Sequence, residues 1–255
     1  MSQIVGYPEL VLVLGLVMLW VSAQIGISFR KRRRQLEEGD REDFGVVVSA
    51  SLTLLGLIIG FTFSMASSRY DQRKNYEEAE ANAIGTEYVR VDFLPAVNGA
   101  RARTLLRSYL DQRVLFYETR DDRQLHQIEG ATAQIETDLW SAVQTPAATQ
   151  PTPVVALAVS GMNDVLNSRG YTEAAWLNHI PIAAWDLMIA IAICCNLLIG
   201  YGMRRSQGKA VLLLVLPLIV SISFSLIADI DSPRGGVIRV HPQNLTSLSQ
   251  SLHAR

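Results

Sequence analysis

The sequence has little charge for its length. Only 18% of its 255 residues are Asp, Glu, Lys or Arg, whereas soluble proteins carry about 25%. The formal net charge is −1, so the chain lacks the basic surplus that nucleic-acid binding requires, and we expect no nucleic-acid partner. The only cysteines, Cys194 and Cys195, are adjacent in an apolar run. Neighbouring residues on a helix point to different faces, so this pair predicts neither a disulfide nor a metal site.

The motifs that mark catalytic, metal or cofactor sites are also missing from the sequence. The four histidines, His126, His179, His241 and His253, are scattered, without a second ligand at metal-binding spacing. Neither a glycine-rich phosphate loop nor a G-x-S-x-G nucleophile motif occurs. We therefore expect a protein that is not an enzyme and that binds no metal and no cofactor.

What the sequence does have is four long apolar stretches. They cover residues 10–29, 44–67, 180–203 and 210–228, and the only charged side chain among them is Asp186. About 20 apolar residues in a helix cross the roughly 30 Å hydrocarbon core of a bilayer. The sequence therefore predicts an all-α membrane protein with four transmembrane helices in the lipid bilayer. We expect Asp186 to lie near the membrane interface, where a charge costs less.

Two basic loops predict the orientation in the membrane. Residues 30–43 contain six basic residues, and the loop after the third span contains Arg204, Arg205 and Lys209. Both loops lie on one side of a four-span protein, and the positive-inside rule makes that side cytoplasmic. The 68–179 segment is then extracytoplasmic. Because the first basic cluster follows the first span rather than preceding it, that span is expected to be retained.

The segment between the second and third spans is predicted to be a helical soluble domain. The domains are therefore 1–67 (two spans and the basic loop), 68–179, 180–230 (two spans) and a polar C-terminal tail at 231–255. The second span continues as a helix toward Pro95, since no helix breaker intervenes. A further helix is expected after Asn98.

Two more helices are expected later in this segment. One begins at Asp121 or Asp122 as its cap. Its predicted inward stripe, at spacings of three and four, is Leu125, Ile128, Thr132, Ile135, Leu139 and Val143. Three prolines in residues 145–153 predict a loop. Thr152 and Pro153 then form a start signal for a helix over 154–167.

The second span carries a face of small residues. They recur at spacings of three and four and lie within a narrow arc: Ser49, Thr53, Gly56, Gly60, Ser64 and Ser67. Such a face indicates tight helix packing, within the subunit or between subunits. The other interpretation is a pore wall, with Leu57 and Phe61 at its margin as hydrophobic constrictions.

Polar groups near the later spans suggest further roles. Asp229, Asp231 and Arg234 end the fourth span. They could bind a cation, but internal pairing that fixes the helix end is the favoured interpretation. Asn196 could hydrogen-bond across helices. Pro217 is expected to kink the fourth span, and the carbonyls that it frees could bond to its serines, which are Ser221, Ser223 and Ser225.

Five segments resemble a bacterial membrane-protein family described as bestrophin-like. They are Phe44–Val48, Gly60–Met65, Ser68–Arg73, Glu80–Thr86 and Asp229–Val240. A more distant resemblance links the chain to bestrophins, which are pentameric anion channels. It depends on the post-span motif Arg69, Tyr70, Asp71 and Arg73, which is similar to the segment that follows the bestrophin pore helix.

The resemblance implies a homo-oligomer in the bacterial cytoplasmic (inner) membrane, with inorganic anions passing a pore lined by the second span. It also implies a cytoplasmic soluble domain, opposite to the charge pattern of the loops. Our leading hypothesis is an oligomeric ion channel. The alternative is a non-conducting scaffold or sensor whose soluble domain binds a partner through the stripe from Leu125 to Val143.

Overall fold

The computed structural model describes residues 7–32, 38–203 and 210–254, and all regular elements in these ranges are helical. The helices are α1 (Pro8–Arg32), α2 (Glu38–Arg90), a 3-10 turn (Val91–Phe93), α3 (Ala96–Glu118), α4 (Asp122–Thr149), α5 (Pro153–Leu177), α6 (Ile182–Gly202), α7 (Ala210–Asp231) and α8 (Gln243–His253). The predicted all-α class is confirmed.

Four stretches of helix in the described chain are long and apolar enough to cross a membrane. Their bounds are Pro8–Arg30, Glu42–Phe93, Pro153–Gly202 and Leu213–Asp231. Each contains one predicted span, or nearly all of it, so the chain is a membrane protein with four apolar helices.

The chain divides into two compact units. We call residues 1–69 and 179–239 the span unit, and residues 70–178 and 240–255 the bundle unit. Helix α2 has 53 residues and contributes to both units, changing from one to the other between Arg69 and Tyr70. Each unit is described separately below.

In the span unit, α1 and α6 pack with their backbones in contact. A Cβ added at Gly26 would overlap the carbonyl oxygen of Leu197, and one added at Gly200 would overlap that of Ala23. At the ends of the same helices, Arg30 donates to the carbonyls of Gly202, at 3.1 Å, and Met203. Arginine thereby binds the carbonyls that the end of α6 leaves without helical partners. The basic residues at 33, 34, 204, 205 and 209 lie outside the described residues.

The bundle unit has its own hydrophobic core. Ile128, Leu139 and Val143 of the predicted α4 stripe are buried there, as is the hydroxyl-bearing Thr132, and Leu125 and Ile135 pack partly buried against them. Asp121 caps α4 by accepting from the amide of Arg123 at 2.9 Å. Periodicity and capping are local signals, and here they predict the helix and its buried face correctly.

The prediction of a loop at 145–153 is wrong for more than half of these residues. Helix α4 continues to Thr149 with Pro146 inside it, and only residues 150–152 are non-helical. Proline cannot donate to the carbonyl four residues earlier, which here belongs to Ala142. The side-chain amide of Asn98, on α3, donates to that carbonyl at 3.3 Å instead.

Helix α5 begins where the sequence predicts but ends later. The hydroxyl of Thr152 accepts from the amide of Val155 at 3.2 Å, and Pro153 is the first helical residue. The helix then runs to Leu177 rather than 167, because Thr172, Ala175 and Trp176 are buried in the bundle unit. Tertiary packing of this kind stabilises a helix beyond its intrinsic propensity.

The predicted polar tail contains α8. Leu245 and Leu252 of this short helix are fully or almost fully buried, and they belong to the core of the bundle unit. The carboxylate of Glu77, itself 1% exposed, accepts from the amide of Leu245 at 2.9 Å and from the side chain of Asn244 at 2.6 Å. A buried carboxylate from α2 thus caps the N-terminus of α8.

Two predictions about polar residues in the spans are wrong. The side chain of Asn196 donates to the carbonyl of Ala192 at 2.8 Å, within its own helix rather than across helices. The carbonyl that Pro217 frees belongs to Leu213. Ser223 donates instead to Ile219, and Ser225 donates to Pro8 at the start of α1. Neither serine reaches Leu213, because both lie more than two turns beyond it on α7, and the buried hydroxyl of Ser221 has no hydrogen-bond partner among the described residues.

Candidate functional site

The small-residue face of α2 is open in the span unit. All of its members from 49 to 64 are exposed: Ser49, Thr53, Gly56, Gly60 and Ser64. Among the described residues, a Cβ added at Gly56 or Gly60 would have no heavy atom of another element within 4 Å. These two glycines therefore do not pack closely against another described helix of the subunit. The pore wall and the contact between subunits stay predictions for this face.

The opposite side of α2 makes the contacts with the rest of the span unit. Leu55, Thr62 and Ala66, at spacings of seven and four, are at most 3% exposed. Only 6% of the most apolar 18-residue window of α2 is buried, compared with 28% for the first span and 44% for the fourth. The second span is therefore buried only along a narrow strip. Most of its surface is available for contact with lipid or with another chain.

The two predicted constriction residues lie on the exposed part of α2. Leu57 is 52% exposed and Phe61 is 65% exposed. Leu57 follows Gly56 and precedes Gly60 by three residues, so it flanks the open face. In a pore formed by several copies of α2, both side chains could form an apolar constriction. Such a constriction closes a pore by excluding water.

The cluster at the end of α7 binds backbone amides with its carboxylates. Asp229 accepts from the amides of Val237 and Ile238 at 2.7 and 2.8 Å. Asp231 accepts from the amide of Ile180 at 3.1 and 3.2 Å. Gly236 packs directly on Asp229, where an added Cβ would lie 2.8 Å from a carboxylate oxygen. These bonds fold the chain back after α7, so the two carboxylates organise the end of the fourth span.

The post-span motif is divided between the two units. In the span unit, the guanidinium of Arg69 lies 3.7 Å from a carboxylate oxygen of Asp231. In the bundle unit, Tyr70 packs partly buried against the core and Asp71 is exposed. Arg73 is 1% exposed.

Arg73 has a structural role within the bundle unit. It donates to the carbonyls of Ala175 and Asn178, both at 3.2 Å. A cation at this place satisfies the carbonyls at the end of α5 and complements the helix dipole.

These features lie within one long family match. The sequence profile of the bestrophin-like domain matches residues 14–245. The chain belongs to the bestrophin-like family. No curated protein matches this sequence.

Solved structures of bacterial bestrophin homologues share the fold of this bestrophin-like chain. A structure of the homologue from Klebsiella pneumoniae has a TM-score of 0.63 at 14% identity, covering 96% of each chain. A single-substitution variant of that homologue has the same TM-score and identity, covering 97% of this chain and 98% of its own. A second variant has a TM-score of 0.62 at 14% identity, covering 95% and 98%. At this identity the likeness shows the fold alone.

Sequence reasoning missed a network of buried charges in the bundle unit of this bestrophin-like chain. Arg113, 1% exposed, pairs with Glu80, which is fully buried. The carboxylate of Glu80 also accepts from the hydroxyls of Thr172, at 3.0 Å, and Tyr117, at 3.4 Å. Burial, followed by the charge of Glu80, raises the pKa of Tyr117 well above its usual range. The hydroxyl therefore stays neutral and donates.

A second group of charges extends this network. Arg169 donates to Glu136 and to Glu173, both at 2.6 Å, and Glu173 lies 3.7 Å from Arg113. Burial raises the pKa of Glu136 above its ordinary value, although Arg169 opposes the shift. The positions come from four helices and show no periodic signal in the sequence, so only the fold brings them together. Removing one partner of such a buried pair is strongly destabilising.

Glu87 is a buried carboxyl without a hydrogen-bond partner among the described residues. Its side chain is 0% exposed, and neither carboxylate oxygen has a hydrogen-bond partner among the described residues. Burial raises its pKa to about 8, with Arg90 lowering it and Asp164 raising it further. A carboxyl in this environment is largely neutral at neutral pH.

The described residues contain no group of three or more His, Cys, Asp or Glu arranged to hold a metal ion. Cys194 is exposed and Cys195 buried, both as free thiols on α6. Asp186 is exposed on the first turns of the same helix. In the span unit, the polar groups at the end of α7 therefore stabilise the fold, whereas the small-residue face of α2 is exposed.

Proposed function

We propose that this bestrophin-like chain is one subunit of a homo-oligomeric ion channel in the bacterial cytoplasmic membrane, and that it conducts inorganic anions through a pore lined by α2. The observation that carries the proposal is the open face of Gly56 and Gly60, which no described residue covers. A transmembrane helix that exposes its small and polar residues rather than packing them is suited to face water or another copy.

Several copies of α2 are needed for a pore, because one helix cannot enclose a channel. In a ring of subunits, the small-residue face would leave room for hydrated ions. Leu57 and Phe61 would then form an apolar neck, at which the pore could close by excluding water. The family membership supports this arrangement, since the resemblance of the post-span motif to bestrophins implies a central pore.

The stripe that suggested the alternative function is largely buried in the bundle unit. A scaffold or sensor was to bind its partner through the α4 stripe, but Ile128, Leu139 and Val143 of that stripe are buried in the bundle unit. A buried stripe stabilises its own domain and is not available to a partner. The channel is therefore the function that the geometry supports best.

Purified protein in planar bilayers tests the proposal. We expect currents whose reversal potential follows a chloride gradient. Leu57→Ala should change the conductance, because it widens the proposed neck. Leu14→Ala on α1 is the matched control, because Leu14 is 51% exposed and Leu57 is 52% exposed. Each change therefore truncates a leucine of nearly equal exposure. Bilayers that stay silent across several ions and pH values would contradict a channel, and equal effects of the two changes would contradict a pore along α2.

We further propose that the bundle unit is extracytoplasmic, since the basic segments favour the cytoplasm. A cysteine at the exposed Gln150, between α4 and α5, on a background lacking Cys194 and Cys195, tests this. A membrane-impermeant thiol reagent should label it in intact cells. Labelling only after permeabilisation would reverse the orientation and match the sidedness that the bestrophin resemblance implies.

A further inference from the structure

One buried carboxylate in the span unit connects the end of α7 with the start of α6 and with α2. Asp231 is the last residue of α7 and is 1% exposed. Both of its oxygens accept from the amide of Ile180, two residues before α6 begins. One oxygen also lies 3.7 Å from the guanidinium of Arg69, which is the last residue that α2 contributes to the span unit.

Arg69 depends on this carboxylate for its compensating charge. Its side chain is 15% exposed, and its Nη1 atom is buried without a hydrogen bond in the described part of the chain. At 3.7 Å the contact is an ion pair rather than a hydrogen bond. A buried guanidinium nitrogen without a hydrogen bond is costly unless an opposite charge lies beside it.

The neighbouring charged groups do not replace Asp231 in this role. Asp229, two residues earlier on α7, uses both oxygens for the amides of Val237 and Ile238. The Nδ1 atom of His179 lies 3.1 Å from the backbone carbonyl of Asp231 and 3.5 Å from its carboxylate. His179 therefore packs on the same residue as Arg69 and carries no negative charge that could replace that of Asp231.

We propose that Asp231 is a positioning residue for the second span: through Arg69 it holds the proposed pore helix, where that helix leaves the span unit, against the start of α6 and the end of α7. The consequence for ion flow depends on the proposed channel function. The positioning itself can be measured without any current. If the ion pair holds α2 in place, breaking it from either side should loosen the same part of α2.

A spin label on α2 beside Arg69 tests this. Ser68 is exposed and adjacent to Arg69, so a nitroxide on Ser68→Cys, with Cys194 and Cys195 replaced by alanine, reports the order of this part of α2. The full chain is reconstituted in lipid nanodiscs. Asp231→Asn should make the label more mobile, because asparagine can still accept from Ile180 but carries no charge.

The pairing itself is tested by combining changes. Arg69→Gln should give the same increase in mobility as Asp231→Asn, and the double variant should give no further increase, because both remove one interaction. Arg69→Lys should restore the wild-type spectrum. Asp186→Asn is the matched control, since it neutralises an exposed carboxylate on α6, and it should leave the spectrum unchanged.

Additive effects of the two single changes, or an unchanged spectrum in folded Asp231→Asn protein, would overturn the proposal. If Asp231→Asn does not fold, Arg69→Gln and its rescue by Arg69→Lys decide the question alone. Bilayer recordings separate the two proposals. Silent bilayers with the expected label mobility would refute the channel and leave the positioning role. Normal currents in Asp231→Asn with a freed label would overturn the link between Asp231 and the pore.

Discussion

Two pairs of glycines in the span unit show opposite uses of the same residue. At Gly26 and Gly200, the backbones of α1 and α6 touch, and an added Cβ would overlap a carbonyl oxygen of the facing helix. At Gly56 and Gly60 on α2, an added Cβ would meet no atom of the described chain within 4 Å. Only the second pair shows the small-xxx-small pattern within one helix. The pattern therefore indicates that a helix can be approached closely, but it does not identify what approaches it.

The largest expected effect is at the covered pair. Gly200→Leu should destabilise the protein by about 3 kcal/mol or more, because α1 and α6 cannot separate without losing their packing. Melting temperature in detergent, measured by circular dichroism, is the readout. Gly200→Ala should already be destabilising, although alanine favours a helix over glycine by about 1 kcal/mol.

Gly60→Leu is the matched change at the open pair. The isolated protomer should melt at the wild-type temperature or slightly above it, since leucine is the better helix former and no described residue lies against its side chain. The same change should block or reduce the current through an assembled channel. A protomer destabilised as strongly by Gly60→Leu as by Gly200→Leu would show that the comparison is false and that α2 is covered within the chain.

The comparison also shows which parts of the fold the sequence can predict. The four spans, the inward stripe of α4 and the caps Asp121 and Thr152 follow from patterns a few residues long. Burial of an apolar stripe and satisfaction of the first helical amides are needed wherever such a helix forms. These features were therefore predictable from the residues alone.

The remaining features depend on residues far apart in the chain. Pro146 stays inside α4 because Asn98 supplies a donor to Ala142. Neither the Glu80–Arg113 pair nor the Asp231–Ile180 bond has a local pattern, since charged side chains in a helix ordinarily face solvent. The small-residue face of α2 was visible in the sequence, but whether the chain covers that face could be decided only from the packing of the other spans.

A third closely packed glycine lies in the bundle unit, and side chains rather than a backbone pack against it. An added Cβ at Gly161 would overlap a carboxylate oxygen of Glu87 and lie 2.8 Å from the guanidinium of Arg90. Here the missing side chain makes room for an acidic group against the backbone of α5. Because that group is buried without a hydrogen bond, this contact should depend on pH, whereas the contact at Gly200 should not.

Glu87 is expected to make the stability of the bundle unit fall as pH rises. Its pKa is about 8 in the folded chain against an ordinary value of 4.5, so the folded state holds the proton more tightly than the unfolded state. The stabilisation is complete below the unfolded pKa of 4.5, declines between that value and about 8, and is absent above it. Glu87→Gln keeps a neutral side chain of the same shape, so its melting temperature should exceed that of the wild type increasingly as pH rises from about 5 to about 9. Glu78→Gln, at an exposed position of the same helix, is the control and should follow the wild type throughout. A constant difference between Glu87→Gln and the wild type over this range would mean that Glu87 does not titrate there, and that the glycine at 161 accommodates a permanently charged carboxylate.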